Sequence, residues 1–106
     1  MGIDGIYDNS NPNSNVKYVI NEARFGSSRL GKTNDGKHMS DDWLMGAKTK
    51  KSRILKAVDN DRVLAHKIKQ ALEDNELDRV LSKVDSSGNV KTFRLNENGD
   101  IIGEWP

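Results

Sequence analysis

The stretch KYVINEARF, residues 17–25, determines the fold predicted for this chain. It is rich in Tyr, Val, Ile and Phe, which are side chains that favour β-strands. Before it, residues 3–7 alternate apolar with small or polar side chains and lead into the turn-forming residues 8–15. The sequence therefore predicts a β-hairpin whose strands are residues 3–7 and 17–25.

The middle of the chain has helical patterns. Ser40 precedes two acidic residues and then apolar ones, so a helix is predicted to begin there and to end near residues 46–48. A second helical pattern covers residues 52–58, and a stronger one follows Asp59. The apolar stripe of the stronger pattern consists of Leu64, Ile68 and Leu72.

The last part of the chain again favours strands. Residues 79–84 and 90–95 have strand-like composition, and the turn formers of residues 85–89 join them. A second turn at residues 98–100 leads into a short strand at residues 101–102. We summarise the predicted order as β-β-α-α-β-β, which defines an α+β domain.

Composition limits the classes of protein that this chain can belong to. Its 106 residues are enough for one small domain, and 34% hydrophobic residues suffice for one modest core. The lack of cysteine excludes disulfides and thiolate metal sites. The sequence starts with neither a signal-peptide pattern nor a run of about 18 apolar residues, so no membrane partner is expected.

Positive charge is concentrated in the middle of the chain. Residues 24–56 contain nine Lys or Arg and three Asp, a net charge of +6, whereas residues 1–23 carry −2 and residues 57–106 carry −3. Such a basic segment is typical of a surface that faces phosphates, and a solvated surface loop is the alternative.

A phosphate-loop pattern lies inside this basic segment. Residues 26–33 match G-x-x-x-x-G-K-[ST]. A working loop of this kind must pass directly into a helix, but the turn formers of residues 34–36 follow instead. The strand before it carries Glu22 and Arg24, whereas a strand buried on both faces is nearly all apolar. Nucleotide binding is therefore only the third hypothesis for this chain.

Two acids and one cation from the predicted hairpin form a more specific pattern. Residues two apart in a strand share a face, so Glu22 and Arg24 project together, and the hairpin brings Asp4 next to them. Carboxylate oxygens bind Mg²⁺ or Mn²⁺, and an adjacent cation stabilises the charge on a reacting phosphate. The three residues indicate a metal-dependent phosphoryl-transfer site, and a simple surface ion pair is the alternative.

These motifs also carry a family resemblance. Residues 2–7, 18–26, 32–36 and 37–43 together resemble the PD-(D/E)xK nucleases of bacterial polymorphic toxins, which are C-terminal domains delivered by contact-dependent inhibition, Rhs and related systems. The similarity covers residues 2 to about 47, and beyond them only the general layout is similar. The resemblance implies a restriction-endonuclease-like core, with a central mixed sheet flanked by helices.

The resemblance also implies roles for individual residues. Asp4 matches the metal-binding Asp of the family, Glu22 matches the acid of the (D/E)xK pair, and His38 stands where members often have Gln. Mg²⁺ is the implied metal, with Mn²⁺ or Zn²⁺ as alternatives. The implied protein is part of a larger toxin that is secreted or delivered from the cell surface and acts in the cytoplasm of the target cell. A cognate immunity protein is its implied partner.

Two features depart from the family pattern. Arg24 replaces the usual Lys, and a guanidinium keeps the charge but cannot be deprotonated and is planar where an ammonium is compact. We therefore expect lowered activity. The family also places a helix, often with one more acid, before the Asp strand, and we expect that helix to be missing from this chain.

The sequence leads to two main hypotheses. The first is a nuclease in which Asp4 and Glu22 hold the metal, Arg24 stabilises phosphate charge and His38 positions a water or a phosphate, on DNA or tRNA. Its basic loop, with Arg29, Lys32 and Lys37, would contact the nucleic-acid backbone. The second is a non-catalytic or disarmed module that binds nucleic acid or an immunity protein. Ser40 is expected to be a helix cap, Trp43 a core residue and His66 a surface residue.

Overall fold

The computed structural model describes residues 3–9, 13–26 and 31–106. These residues form seven strands and three helices. In chain order they are β1 (Gly5–Asp8), β2 (Tyr18–Phe25), β3 (Lys32–Thr33), β4 (Gly36–Lys37), α1 (Asp41–Met45), α2 (Arg53–Ala57), α3 (Arg62–Glu73), β5 (Leu77–Val84), β6 (Val90–Leu95) and β7 (Ile101–Glu104).

Five of the strands form one mixed sheet in the order β1-β2-β5-β6-β7. Strands β1 and β2 are the predicted antiparallel hairpin, with Gly5 opposite Asn21. Strand β2 then pairs in parallel with β5, so that Tyr18 is opposite Leu77 and Phe25 is opposite Val84. The other pairs, β5 with β6 and β6 with β7, are antiparallel. The α+β class and the mixed sheet are confirmed.

The predicted order β-β-α-α-β-β is too short. The second and third helical patterns form separate helices, because Asp59 and Asn60 between them adopt left-handed backbone conformations with φ of 54° and 64°. The segment predicted as one loop, residues 26–37, contains the short antiparallel ribbon β3–β4. Strand β5 begins at Leu77, two residues before the predicted start.

Side-chain caps define where the helices begin. The hydroxyl oxygens of Ser40 and Ser52 accept hydrogen bonds from the N–H of the third residue after each, and the Asp61 carboxylate does the same for α3. The predicted cap at Ser40 is therefore confirmed. Helix α1 ends at Gly46, with φ of 65°, where a Cβ would lie 2.3 Å from the Lys51 carbonyl oxygen. Only glycine fits that position.

The core lies between the helices and one face of the sheet. The sheet contributes Ile20, Leu81 and Leu95, and these pack with apolar side chains from all three helices. The helix residues are Trp43, Leu44, Ile54, Ile68 and Leu72. Trp43 is fully buried, as expected for a core residue. None of the helices in the described ranges is both long enough and apolar enough to cross a membrane.

Candidate functional site

The β1–β2 hairpin and the turn before α1 bring four of the predicted site residues together. Asp4 lies just before β1, and its Oδ2 atom accepts a hydrogen bond from the backbone N–H of Ala23 at 2.6 Å. Glu22 and Arg24 lie two residues apart on β2 and project from the same face, towards the helices. His38 directly follows β4 and reaches the same place.

Glu22 is at the centre of this group and is almost fully buried, with 2% of its surface exposed. Its Oε1 atom lies 3.8 Å from Nη1 of Arg24, and its Oε2 atom lies 2.8 Å from Nε2 of His38. Despite that short distance, neither Oε2 nor Nε2 has a hydrogen-bond partner with suitable geometry among the described residues. We call Asp4, Glu22, Arg24 and His38 the Glu22 cluster.

Arg24 determines the tautomer of His38. Its Nη2 atom lies 3.1 Å from Nδ1 of the imidazole. A guanidinium has only donors, so Nδ1 must be the acceptor, and the proton of the neutral ring is on Nε2, next to Glu22. His38 therefore presents an N–H, not a lone pair, to the Glu22 carboxyl group. This orientation suits a group that donates to an oxygen and is unsuited to metal ligation through Nε2.

The carboxyl group of Asp4 is held in its charged form. Hydrogen bonding with the Glu22 side chain, and then with the N–H of Ala23, lowers the pKa of Asp4 below its usual value. Partial burial opposes this shift, and the charges of Arg24 and His38 add to it. Asp4 is exposed whereas Glu22 is buried, so Asp4 forms the solvent-facing side of the cluster.

His38 is held from several directions. Its ring lies against the indole of Trp43, with the centroids 4.1 Å apart. The next residue, Met39, has φ of 72°, and its carbonyl oxygen accepts a hydrogen bond from Nη1 of the buried Arg79 at 3.1 Å. Gly99 packs so closely on this segment that a Cβ there would lie 2.6 Å from the His38 carbonyl oxygen. The imidazole thus packs against α1, whereas β5 and the β6–β7 turn hold the backbone of residues 38 and 39.

An ion pair between the half-buried Arg53 and the buried Asp35 lies beside Trp43. The guanidinium of Arg53 stacks 4.6 Å from the Trp43 ring centroid and donates to the Trp43 carbonyl oxygen at 2.8 Å and to Oδ2 of Asp35 at 2.7 Å. Asp35 also accepts from the backbone N–H groups of Lys48 and Thr49 and from the Thr49 hydroxyl, each at 2.7 Å. These bonds, above all the one from Arg53, hold the pKa of the Asp35 carboxyl group far below its usual range.

Asp35 and Arg53 are not among the predicted site residues. Asp35 lies between Asn34 and Gly36, where an Asp usually signals an exposed turn. Its donors come from residues 48–53, and nothing in the sequence pattern connects the two segments. The connection depends on the tertiary fold.

We expect the contact between the Trp43 indole and the His38 ring to orient the imidazole. Trp43→Phe is expected to lower the free energy of unfolding by about 1–2 kcal/mol, because a smaller ring leaves a gap beneath Arg53. We expect the ¹⁵N signals of the His38 imidazole to shift in long-range ¹H–¹⁵N spectra. The other histidine, His66, is exposed on α3 and serves as the internal control. Unchanged His38 signals in the variant would contradict an orienting role for the indole.

The three residues predicted to contact nucleic acid differ in their surroundings. Lys32 and Lys37 are direct partners across the β3–β4 ribbon, and Lys32 is exposed. Lys37 forms an ion pair with Asp100 in the β6–β7 turn, so its charge is partly neutralised. Arg29 lies outside the described residues. Lys32 and Thr33 form a strand instead of opening a helix, so the phosphate-loop pattern lacks the helix that it requires.

The donor groups of the Glu22 cluster fit a hard divalent cation. Within residues 3–9, 13–26 and 31–106, no three His, Asp or Glu side chains form a ready-made metal-binding group. Mg²⁺, however, is usually held by one or two carboxylates together with waters and substrate phosphates. Asp4 and Glu22 provide two adjacent carboxyl groups, and Oε2 of Glu22 lacks a hydrogen bond of suitable geometry within the described residues.

Comparison of the chain with protein-family models, with curated proteins and with solved structures gives no significant match. We therefore infer a function from the residues of the site and from the motifs around them.

Proposed function

We propose that this chain is a metal-dependent nuclease of the polymorphic-toxin type, which hydrolyses phosphodiester bonds of DNA or tRNA. The observation that carries the proposal is the convergence of Glu22, Arg24 and His38, at 2.8 to 3.8 Å, beside the exposed carboxyl group of Asp4. A cation and an N–H donor next to two carboxyl groups are suited to stabilising a phosphate on which negative charge develops.

Each residue of the cluster has a distinct role in this proposal. Asp4 and Glu22 hold the divalent cation, with Mg²⁺ preferred over Mn²⁺ or Zn²⁺ because only oxygen ligands are offered. When bound, the ion neutralises phosphate charge and lowers the pKa of a water molecule. Arg24, with 12% of its side chain exposed, donates hydrogen bonds to a phosphate oxygen. The Nε2–H group of His38 orients the Glu22 carboxyl group or a phosphate oxygen.

The biological setting follows from the resemblance of residues 2–47 to toxin nucleases. We propose that the chain is part of a larger protein that is secreted or presented at the cell surface, and that it acts in the cytoplasm of a competing bacterium. A cognate immunity protein would protect the producing cell. As part of this proposal, we assign the α+β fold more specifically to a restriction-endonuclease-like core.

Arg24 provides a direct test of the proposal. Arg24→Lys is expected to raise the cleavage rate by about 10–100-fold, because a compact ammonium can approach the reacting phosphate more freely and can change its protonation state. The double variant Arg24→Lys/His38→Gln has the residues usual in the family at both positions. Cleavage of plasmid DNA and of tRNA should be followed with added Mg²⁺, Mn²⁺ or Zn²⁺.

Arg62→Lys is the matched control, because Arg62 begins α3 and is exposed. It is expected to leave cleavage unchanged. The nuclease proposal fails if neither the Lys variant nor the double variant cleaves DNA or RNA with any of the three metals.

A second candidate function is a non-catalytic module that binds nucleic acid or an immunity protein. The observation that favours it is the closure of the cluster: Glu22 is buried, and Arg24 contacts both Glu22 and His38. Calorimetric titration with Mn²⁺ separates the two functions. A nuclease site should bind the ion in a manner that depends on Asp4 and Glu22, whereas a binding module should not.

A further inference from the structure

A basic cavity lies along the connection between α1 and α2. Its volume is about 480 Å³. Four of its lining residues are cations and none is an acid. The lining consists of Thr49, Lys50, Lys51, Ser52, Arg53, Leu55, Lys56 and Asn60. We call this the α2 cavity.

Three of these cations can receive an anion, and one of them, Lys50, also donates a hydrogen bond to the Ala47 carbonyl oxygen at 3.2 Å. Arg53 is already engaged by Asp35 and by the Trp43 carbonyl oxygen. In contrast, none of the ion pairs formed within the described ranges involves the lysines of the cavity, which are all exposed. These are Lys50, Lys51 and Lys56. Three ammonium groups around one concavity repel one another, and an anion bound between them would relieve that repulsion.

The α2 cavity is connected to the Glu22 cluster through a single indole ring. Arg53, which lines the cavity, stacks 4.6 Å from the Trp43 ring centroid, and the His38 ring lies 4.1 Å from the same centroid. Arg53 of the cavity and His38 of the cluster therefore both lie against the same indole.

We propose that the α2 cavity binds the sugar–phosphate backbone of a nucleic-acid strand whose neighbouring phosphate lies at the Glu22 cluster. The identity of the ligand rests on the proposed nuclease function. Lysines on flexible stems attract phosphates as point charges without fixing a base sequence, as backbone-positioning contacts do. Thr49, Ser52 and Asn60 add polar groups, and Leu55 offers an apolar surface to a sugar or a base.

The proposal predicts a specific loss of affinity. Binding should be measured by fluorescence anisotropy with short labelled single-stranded DNA and RNA, without added metal, in a Glu22→Gln background so that the strand stays intact. Lys50→Gln/Lys51→Gln/Lys56→Gln is expected to weaken binding by about 10–100-fold at low salt. Between about 50 and 200 mM salt it should also reduce the slope of log K against log[salt] by about 2, because each phosphate that a lysine neutralises contributes roughly 0.7.

A matched control removes the same charge elsewhere. Lys67→Gln/Lys69→Gln/Lys91→Gln alters exposed lysines of α3 and β6, outside the α2 cavity, and is expected to change affinity by less than about threefold. The charge-conserving variant Lys50→Arg/Lys51→Arg/Lys56→Arg should retain binding. Thermal melts of every variant verify that the fold is kept.

Several outcomes would overturn the proposal. Equal losses in the two Gln triple variants would mean that only net charge matters. Displacement of the strand by low-millimolar inorganic phosphate would indicate a small-anion site, and equally effective displacement by polyglutamate would indicate an acidic protein partner. If neither the Arg24→Lys variant nor the Arg24→Lys/His38→Gln double variant cleaves while binding still depends on the cavity lysines, the nuclease proposal fails alone. If cleavage occurs but both triple variants bind alike, only the cavity proposal fails.

Discussion

Glu22→Gln is expected to lower the cleavage rate by about 10²–10³-fold, the largest effect on activity that a single substitution in this chain should produce. The substitution preserves the shape of the side chain and removes its charge. Glu22 is the buried centre of the cluster, in contact with Arg24 and His38 and adjacent to Asp4. A neutral amide at this position can neither hold a divalent cation as a carboxylate does nor balance the guanidinium of Arg24.

The measurement is the initial rate of cleavage of plasmid DNA or tRNA, whichever is cleaved faster. If the unsubstituted chain cleaves too slowly to measure, Glu22→Gln is introduced into the Arg24→Lys variant instead. Glu104→Gln is the matched control, because Glu104, on β7, is an exposed carboxylate that forms an ion pair with Lys91. Circular dichroism before and after heating separates loss of function from loss of fold. Full activity in folded Glu22→Gln protein would exclude Glu22 from the chemistry.

Asp35→Asn is expected to cause a large loss of stability, with the melting temperature lowered by more than about 10 °C. The Asp35 carboxylate accepts hydrogen bonds from Arg53, from the Thr49 hydroxyl and from two backbone N–H groups. An amide would place a donor where Oδ2 now accepts, and the guanidinium of Arg53 would be left without its counter-charge beside Trp43. Asp42→Asn, an exposed position in the first turn of α1, is the control.

The stability of the parent chain should also depend on pH through Asp35. The pKa of this carboxyl group is far below its usual value of 3.8 in the folded chain, so the unfolded chain binds the proton more readily. The stabilisation is therefore complete above about pH 5 and decreases as the pH falls through and below about 4. Urea denaturation at several acidic pH values should show a steeper decline for the parent than for Asp35→Asn. Parallel declines would contradict this assignment.

Local patterns predicted much of the fold and of the site. The cap of α1, the β1–β2 hairpin and the placement of Glu22 beside Arg24 all follow from the properties of neighbouring residues. Period-two alternation in a strand is enough to place residues 22 and 24 on one face. The hairpin register then brings Asp4 near them without information from the rest of the chain.

Contacts between distant segments could not be predicted in this way. The parallel pairing of β2 with β5, the separation of α2 from α3 and the ribbon β3–β4 are missing from the predicted order. Lys37 was predicted to contact phosphates, but its partner Asp100 lies 63 positions away in the sequence. Asp35 and Arg53 form an ion pair only because residues 48–53 return to the β3–β4 turn. Neither propensity nor periodicity contains this information.

The parallel pairing of β2 with β5 determines when the Glu22 cluster can form during synthesis of the chain. The strand that carries Glu22 lacks one neighbour until residues 77–84 have been synthesised, and the turn that presents His38 is unsupported until Arg79 and Gly99 have left the ribosome. A nascent chain in which residues 77–99 have not yet emerged therefore cannot assemble the full geometry of the Glu22 cluster. The nuclease activity that we propose would accordingly arise only after these residues have folded against β2 and the turn that carries His38.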